Sequence, residues 1–112
     1  MVKLEKPWGY EEIIVQNKRY VVKLLFIKAN HRLSLQAHKR KHETLFALEG
    51  CPSIWIGKGA EQPIVLTPHN FIDMPKMTVH RITSEVNRDV LLLEVSTPEL
   101  NDVVRYADDY GR

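Results

Sequence analysis

The amino-acid sequence predicts an all-β domain, a sandwich or small barrel, with one short helix at its C-terminus. Three observations lead there. Runs of residues rich in Val, Ile, Leu, Phe and Tyr recur about nine times, turn-forming residues separate most of them, and a helical spacing of apolar residues emerges in one place alone. In order, the expected strands are Tyr10 to Gln16, Arg19 to Lys28, Leu33 to His38, Thr44 to Leu48, Ser53 to Ile56, Ile64 to Thr67, Phe71 to Met74, His80 to Ser84 and Val90 to Ser96. The turns are signalled by Asn17-Lys18, Ala29-Asn30, Gly50, Gly57-Lys58-Gly59, Pro68-His69-Asn70 and Asn87-Arg88-Asp89.

The helix is expected after Ser96. Thr97 suits an N-cap and Pro98 the first helical position, while Leu100, Val103, Val104 and Ala107 fall at i, i+3, i+4 and i+7. That face would dock on the barrel and carry Arg105 and the tail Tyr106 to Arg112 towards one rim.

Composition narrows the possible partners. A chain of 112 residues is expected to form a single domain over its whole length, with one modest core. Sixteen Lys and Arg against fourteen Asp and Glu leave a net charge of +2, too nearly balanced for nucleic acid to be the main partner. The one cysteine, Cys51, cannot close an internal disulfide, and Lys3, Glu5 and Lys6 stand where a secretory signal needs an apolar run, which points to the cytosol. Apolar runs such as Leu24 to Ile27 and Val90 to Leu93 fall far short of the roughly 20 residues a membrane span needs, so no membrane partner is expected.

The chemistry concentrates in two segments, Ser34 to Glu43 and Pro75 to Arg81. Gln36 and His38 are two apart, so on a strand both project from one face. Glu43 can close in from the start of the next strand and His80 from a third. Two imidazole nitrogens and two oxygens suit one divalent ion: zinc foremost, or iron(II), manganese, cobalt or nickel. Ser34, Gln36 and His38 alternate with Leu33, Leu35 and Ala37, a pattern that fits a polar barrel interior or a solvated outer face equally well.

Two further charges fall where burial is expected. Lys23 interrupts the apolar run from Val21 to Ile27, and Glu94 follows the apolar run ending at Leu93. A buried charge needs a partner, a ligand or a shifted pKa, and a desolvated carboxylate near a metal can act as a proton-transfer base. Alternatively, Lys23 snorkels to the rim or both residues lie on a solvated face. The basic run Lys39-Arg40-Lys41-His42 reads as a solvated loop, or as positive charge at a site mouth that draws in an anion.

From Lys6-Pro7-Trp8-Gly9 through Leu33-Ser34-Leu35-Gln36-Ala37-His38, Glu43, Pro75, His80-Arg81, Glu94-Val95, Val104-Arg105 and Asp109-Tyr110-Gly111-Arg112, the chain resembles the cupin domain of type II mannose-6-phosphate isomerases. The resemblance implies a cupin-type, jelly-roll-like β-barrel, interconversion of mannose 6-phosphate and fructose 6-phosphate, and metal ligation by Gln36, His38, Glu43 and His80. It also implies a homodimer joined through sheet edges. The sequence departs from the family's habits at Ala29-Asn30 for Pro-Gly, Met77 for a turn glycine, Lys41 for Arg, Thr44-Leu45 for His-Trp and Ser84 for Asn. In that family the domain usually follows a guanylyltransferase domain. These 112 residues have no room for one and carry no Gly-rich phosphate loop, so that activity is not expected.

Aldose-ketose isomerisation moves a proton between C1 and C2 through an enediol, which needs a base and an electrophile. Glu94 is the leading choice for the base and Lys23 its competitor, with Arg105, Arg81 and Lys41 as phosphate-holding cations. Two other functions fit the residues less fully. One is a noncatalytic sugar- or sugar-phosphate-binding module acting with a separate nucleotidyltransferase. The other is metal-dependent oxygen chemistry, which usually relies on more histidine ligands.

Overall fold

The computed structural model describes residues 2–59, 62–99 and 101–111. Among these residues there are eleven strands and no helix: β1(Val2–Lys6), β2(Gly9–Gln16), β3(Val21–Ile27), β4(Leu35–His38), β5(Glu43–Glu49), β6(Ser53–Ile56), β7(Ile64–Val65), β8(Phe71–Met74), β9(His80–Thr83), β10(Val90–Ser96) and β11(Val103–Ala107). They make two sheets, ordered β1-β2-β3-β10-β5-β8 and β11-β4-β9-β6-β7. No helix among the described residues is long and apolar enough to cross a membrane.

A period of two governs which side chains turn inward. On β3 the buried residues are Val21, Lys23, Leu25 and Ile27, and on β10 they are Val90, Leu92, Glu94 and Ser96. The register sets Leu92 between Leu25 and Ala47, and Glu94 between Lys23 and Leu45. Opposite them, Ile54 on β6 and Ile82 on β9 complete a core that also holds Trp8, Leu33, Leu66 and Met74. Burying each such Leu or Ile contributes about 1.5–3 kcal/mol. The rest of the interior is polar, with Lys23, Ser34, His38, Lys41, Glu43, His80, Glu94 and Ser96 all buried.

The expected C-terminal helix is not formed. Residues 103–107 are a strand, with Val103 opposite His38, Val104 opposite Ala37 and Arg105 opposite Gln36. Two β-branched residues favour the pleated conformation, and this strand satisfies an edge of β4 that would otherwise leave its peptide groups unpaired. Thr97 caps no helix either, since its hydroxyl oxygen accepts the His42 amide at 3.0 Å. Leu100 and Arg112 lie outside the described residues.

Three turns explain details of the sequence. A Cβ at Gly9 would run into the carbonyl oxygen of Phe26, so the Pro7-Trp8-Gly9 turn needs glycine to keep β2 against β3. Asn30 and Met77 hold left-handed φ values of 63° and 66° without glycine's freedom. The Met77 amide donates to the His38 carbonyl at 2.7 Å, which ties this strained turn to the polar end of β4.

Candidate functional site

Gln36 and His38 project from one face of β4, Glu43 opens β5 in the opposite sheet, and His80 opens β9 directly across from Gln36. His38, Glu43 and His80 are all buried, and their ligand atoms lie within 4.8 Å of one another. Glu43 Oε1 is 3.0 Å from His80 Nε2 and 3.8 Å from His38 Nε2. Gln36 lines the same cavity, about 110 Å³ in volume.

This donor set fits a divalent cation. His80 Nδ1 lies 2.9 Å from the Thr78 carbonyl oxygen, so that nitrogen carries the proton and donates it, turning Nε2 towards Glu43. Such a carbonyl contact commonly orients a metal-ligating histidine. Among the described residues, His38 Nδ1 is buried without a hydrogen-bond partner; an unmet group of this kind calls for an ion or water. Burial and the nearby Lys41 charge bring His38 down to about 4, which keeps its imidazole neutral. Burial also opposes a charged His80, but the Glu43 hydrogen bond and charge outweigh it and hold the ring above its ordinary value. Burial raises Glu43 as well, yet contacts with His80 and Lys41 outweigh it and hold the carboxyl below the usual range.

Beside this cluster stands Glu94, central in its sheet. Burial, reinforced by the neighbouring Glu43 carboxylate, pushes its carboxyl above the usual range despite Lys41 and Lys23. Lys41 Nζ lies 3.2 Å from Glu43 Oε2 and 3.3 Å from Glu94 Oε2. Both contacts are buried ion pairs, and the second is also hydrogen-bonded. Burial weakens the Lys41 ammonium, and the two carboxylates more than restore it.

Two of the expected phosphate-holding cations are otherwise engaged. Lys41 lines the cavity but is buried, because two desolvated carboxylates require a counter-charge there. Arg81 does not line the cavity: it follows His80 on β9 and therefore points to the opposite face, where it donates to the carbonyls of Leu33 and Ala107. Arg105 does line the cavity and is exposed at its mouth, and Lys23 lines it as a buried residue. Sequence reasoning missed Glu11, which sits 3.6 Å from Lys23 and 3.8 Å from Lys6. Its signal was its spacing from Gly9, which puts it on the inward face of β2.

Two antiparallel sheets wrapped around a partly polar interior, with a His-Glu-His cluster reaching across both, define a cupin. A cupin-2 domain of Rhodospirillum rubrum superposes with a TM-score of 0.75 at 10% identity, over 86% of this chain and 64% of that one. The chain belongs to the family described as Mannose-6-phosphate isomerase C-terminal, which it matches over residues 2–108. It is 29% identical to the xanthan biosynthesis protein XanB of Xanthomonas campestris, over 98% of this chain and 24% of that protein. It is 31% identical to a mannose-1-phosphate guanylyltransferase of Escherichia coli, over 96% of this chain and 22% of that enzyme. The chain thus spans about a quarter of the length of these relatives.

Proposed function

We propose that this domain is a metal-dependent aldose-ketose isomerase that interconverts mannose 6-phosphate and fructose 6-phosphate. The observation that carries the reading is one cavity holding both a His38-Glu43-His80 donor set and a desolvated second carboxyl, Glu94, bridged to Glu43 by Lys41. Gln36, His38, Glu43 and His80 would hold one divalent cation, zinc foremost, which when bound supplies Lewis-acid polarisation of the sugar carbonyl.

The chain's own residues do the rest. Glu94 takes the proton from C2 of the open-chain aldose and returns it to C1 while the hydroxyl proton passes from O2 to O1, so a carboxyl whose pKa lies nearer neutrality than usual suits both halves of the carbon-to-carbon transfer. Lys41 keeps the two carboxylates within one site by offsetting their repulsion. Leu25, Leu33, Ile82 and Trp8 wall the cavity and exclude bulk water from the enediol. Arg105 at the mouth meets the phosphate.

A second reading, a noncatalytic sugar-phosphate-binding module, draws support from the Escherichia coli relative, whose name carries only a guanylyltransferase activity. A coupled assay for fructose 6-phosphate formed from mannose 6-phosphate, run with and without chelator, separates the two. Turnover that chelation abolishes and metal restores is the expected result. Binding of mannose 6-phosphate with no turnover under any metal would retire the isomerase in favour of the module, and oxygen uptake in the same mixture would retire both.

A further inference from the structure

Five neighbouring strands of the first sheet each contribute one charged side chain to the cavity: Lys6 on β1, Glu11 on β2, Lys23 on β3, Glu94 on β10 and Glu43 on β5. The stripe begins at the metal-type cluster and runs to the sheet edge. Its lysine end is electrostatically incomplete. Lys23 is only 6% exposed, and its one ion-pair partner among the described residues is Glu11 Oε1 at 3.6 Å. Lys6 shares that same oxygen at 3.8 Å. Charge-assisted hydrogen bonds close to about 2.7–2.9 Å, so one carboxylate oxygen serves two ammonium groups loosely and leaves their N–H donors available to the cavity. A buried ammonium in that condition is costly unless a further anion meets it.

The charge balance along the cavity points the same way. Lys41 is engaged by Glu43 and Glu94, which leaves Glu11 as the one carboxylate in ion-pair contact with Lys6 and Lys23 among the described residues, with Arg105 a third cation on the same cavity and Glu94 reaching Lys23 only through its charge. Strands lie about 5 Å apart, and Glu11, the carboxylate both lysine ammonium groups meet, is on β2, two strands from Glu94 on β10. The lysine end is therefore roughly 10 Å from Glu94, a span suited to an extended hexose 6-phosphate whose C1 and C2 lie at Glu94.

We infer that Lys23 and Lys6 form the subsite that holds the substrate's phosphate, with Arg105 as a third donor from the opposite sheet and Glu11 as the group that positions both lysines. The assignment rests on the isomerase reading of this cavity. It gives Lys23 an anchoring role in place of the base role its apolar surroundings first suggest.

Calorimetry on the metal-loaded protein tests it by comparing affinities for mannose 6-phosphate and unphosphorylated mannose, since the ratio of the two cancels contacts made by the sugar and the metal site. Lys6→Ala and Lys23→Met should each reduce that ratio about tenfold, the usual worth of a charged hydrogen bond. Lys6 is partly exposed, so its variant keeps the test usable if Lys23→Met fails to fold. An unchanged ratio in a folded Lys6→Ala and a folded Lys23→Met overturns the subsite, even if turnover is intact. A ratio that falls in both variants of a protein with no isomerase turnover upholds the subsite and removes the isomerase instead.

Discussion

At the scale of single residues, position within the pleat decides what a charged side chain can do. His80 and Arg81 are adjacent, yet one faces the cavity and the other the outer surface of its sheet. Glu94 faces inward with Leu92 and Ser96, where desolvation and the Glu43 charge favour its protonated form. Replacing it by Gln keeps the shape and the hydrogen-bonding reach but removes the proton acceptor. Glu94→Gln should lower kcat/KM by about a hundredfold, most of it in kcat, because only the transfer step is lost. Steady-state kinetics check this; a near-normal kcat in a correctly folded variant would take Glu94 out of the mechanism.

At the scale of elements, β11 organises the loop between the ligands of β4 and β5. Asp102, just before β11, accepts the amides of Arg40 and Lys41 at 2.6 Å and 2.9 Å, and so fixes the backbone that aims Lys41 inward. The Arg40 amide above all holds the Asp102 carboxyl below its ordinary value. A depressed folded pKa gives stabilisation that is fully present above the unfolded value of about 3.9 and fades as pH falls through the folded value. Asp102→Ala should therefore melt a few degrees below the parent at pH 7, with the gap narrowing as the pH drops below about 4. Thermal unfolding at pH 7 and in acid measures it, and a gap independent of pH would mean the carboxylate charge plays no part.

The same element shows how far the sequence could be read. Apolar runs in β3, β5 and β10, together with Asn and Gly turns, made the central strands legible, and the Gln-x-His spacing made one face of β4 legible. The strand β11 was misread because an i, i+3, i+4, i+7 pattern ignores the open edge of β4, a partner that exists only in three dimensions. The strand β1 was missed because Val2-Lys3-Leu4-Glu5-Lys6 lies on an exposed edge and carries little apolar signal. Lys41 was misplaced for a related reason: composition reads a basic run as surface, while the Glu43 and Glu94 carboxylates that turn this lysine inward come from strands distant from one another in sequence.

At the scale of the whole molecule, the ligand set is a bridge between sheets. Gln36, His38 and His80 belong to the β11-β4-β9-β6-β7 sheet and Glu43 to the other, so a cation held by all four would link the two layers at their polar end, where the apolar core does not reach. A ligand that binds only the folded state stabilises it by mass action, by about 4 kcal/mol when its free concentration is a thousand times its Kd. In a domain of this size that corresponds to a rise in Tm on the order of 10–20 °C. Chelation should lower Tm by that amount and stoichiometric zinc should restore it. His80→Ala removes a donor from one sheet and Glu43→Gln weakens the donor from the other, so each should sharply reduce the metal response. Differential scanning calorimetry with and without chelator, beside elemental analysis, makes the measurement. A Tm that chelation leaves unchanged, in protein that carries no stoichiometric metal, would mean that the Glu43 and Lys41 ion pairs alone hold the polar end together.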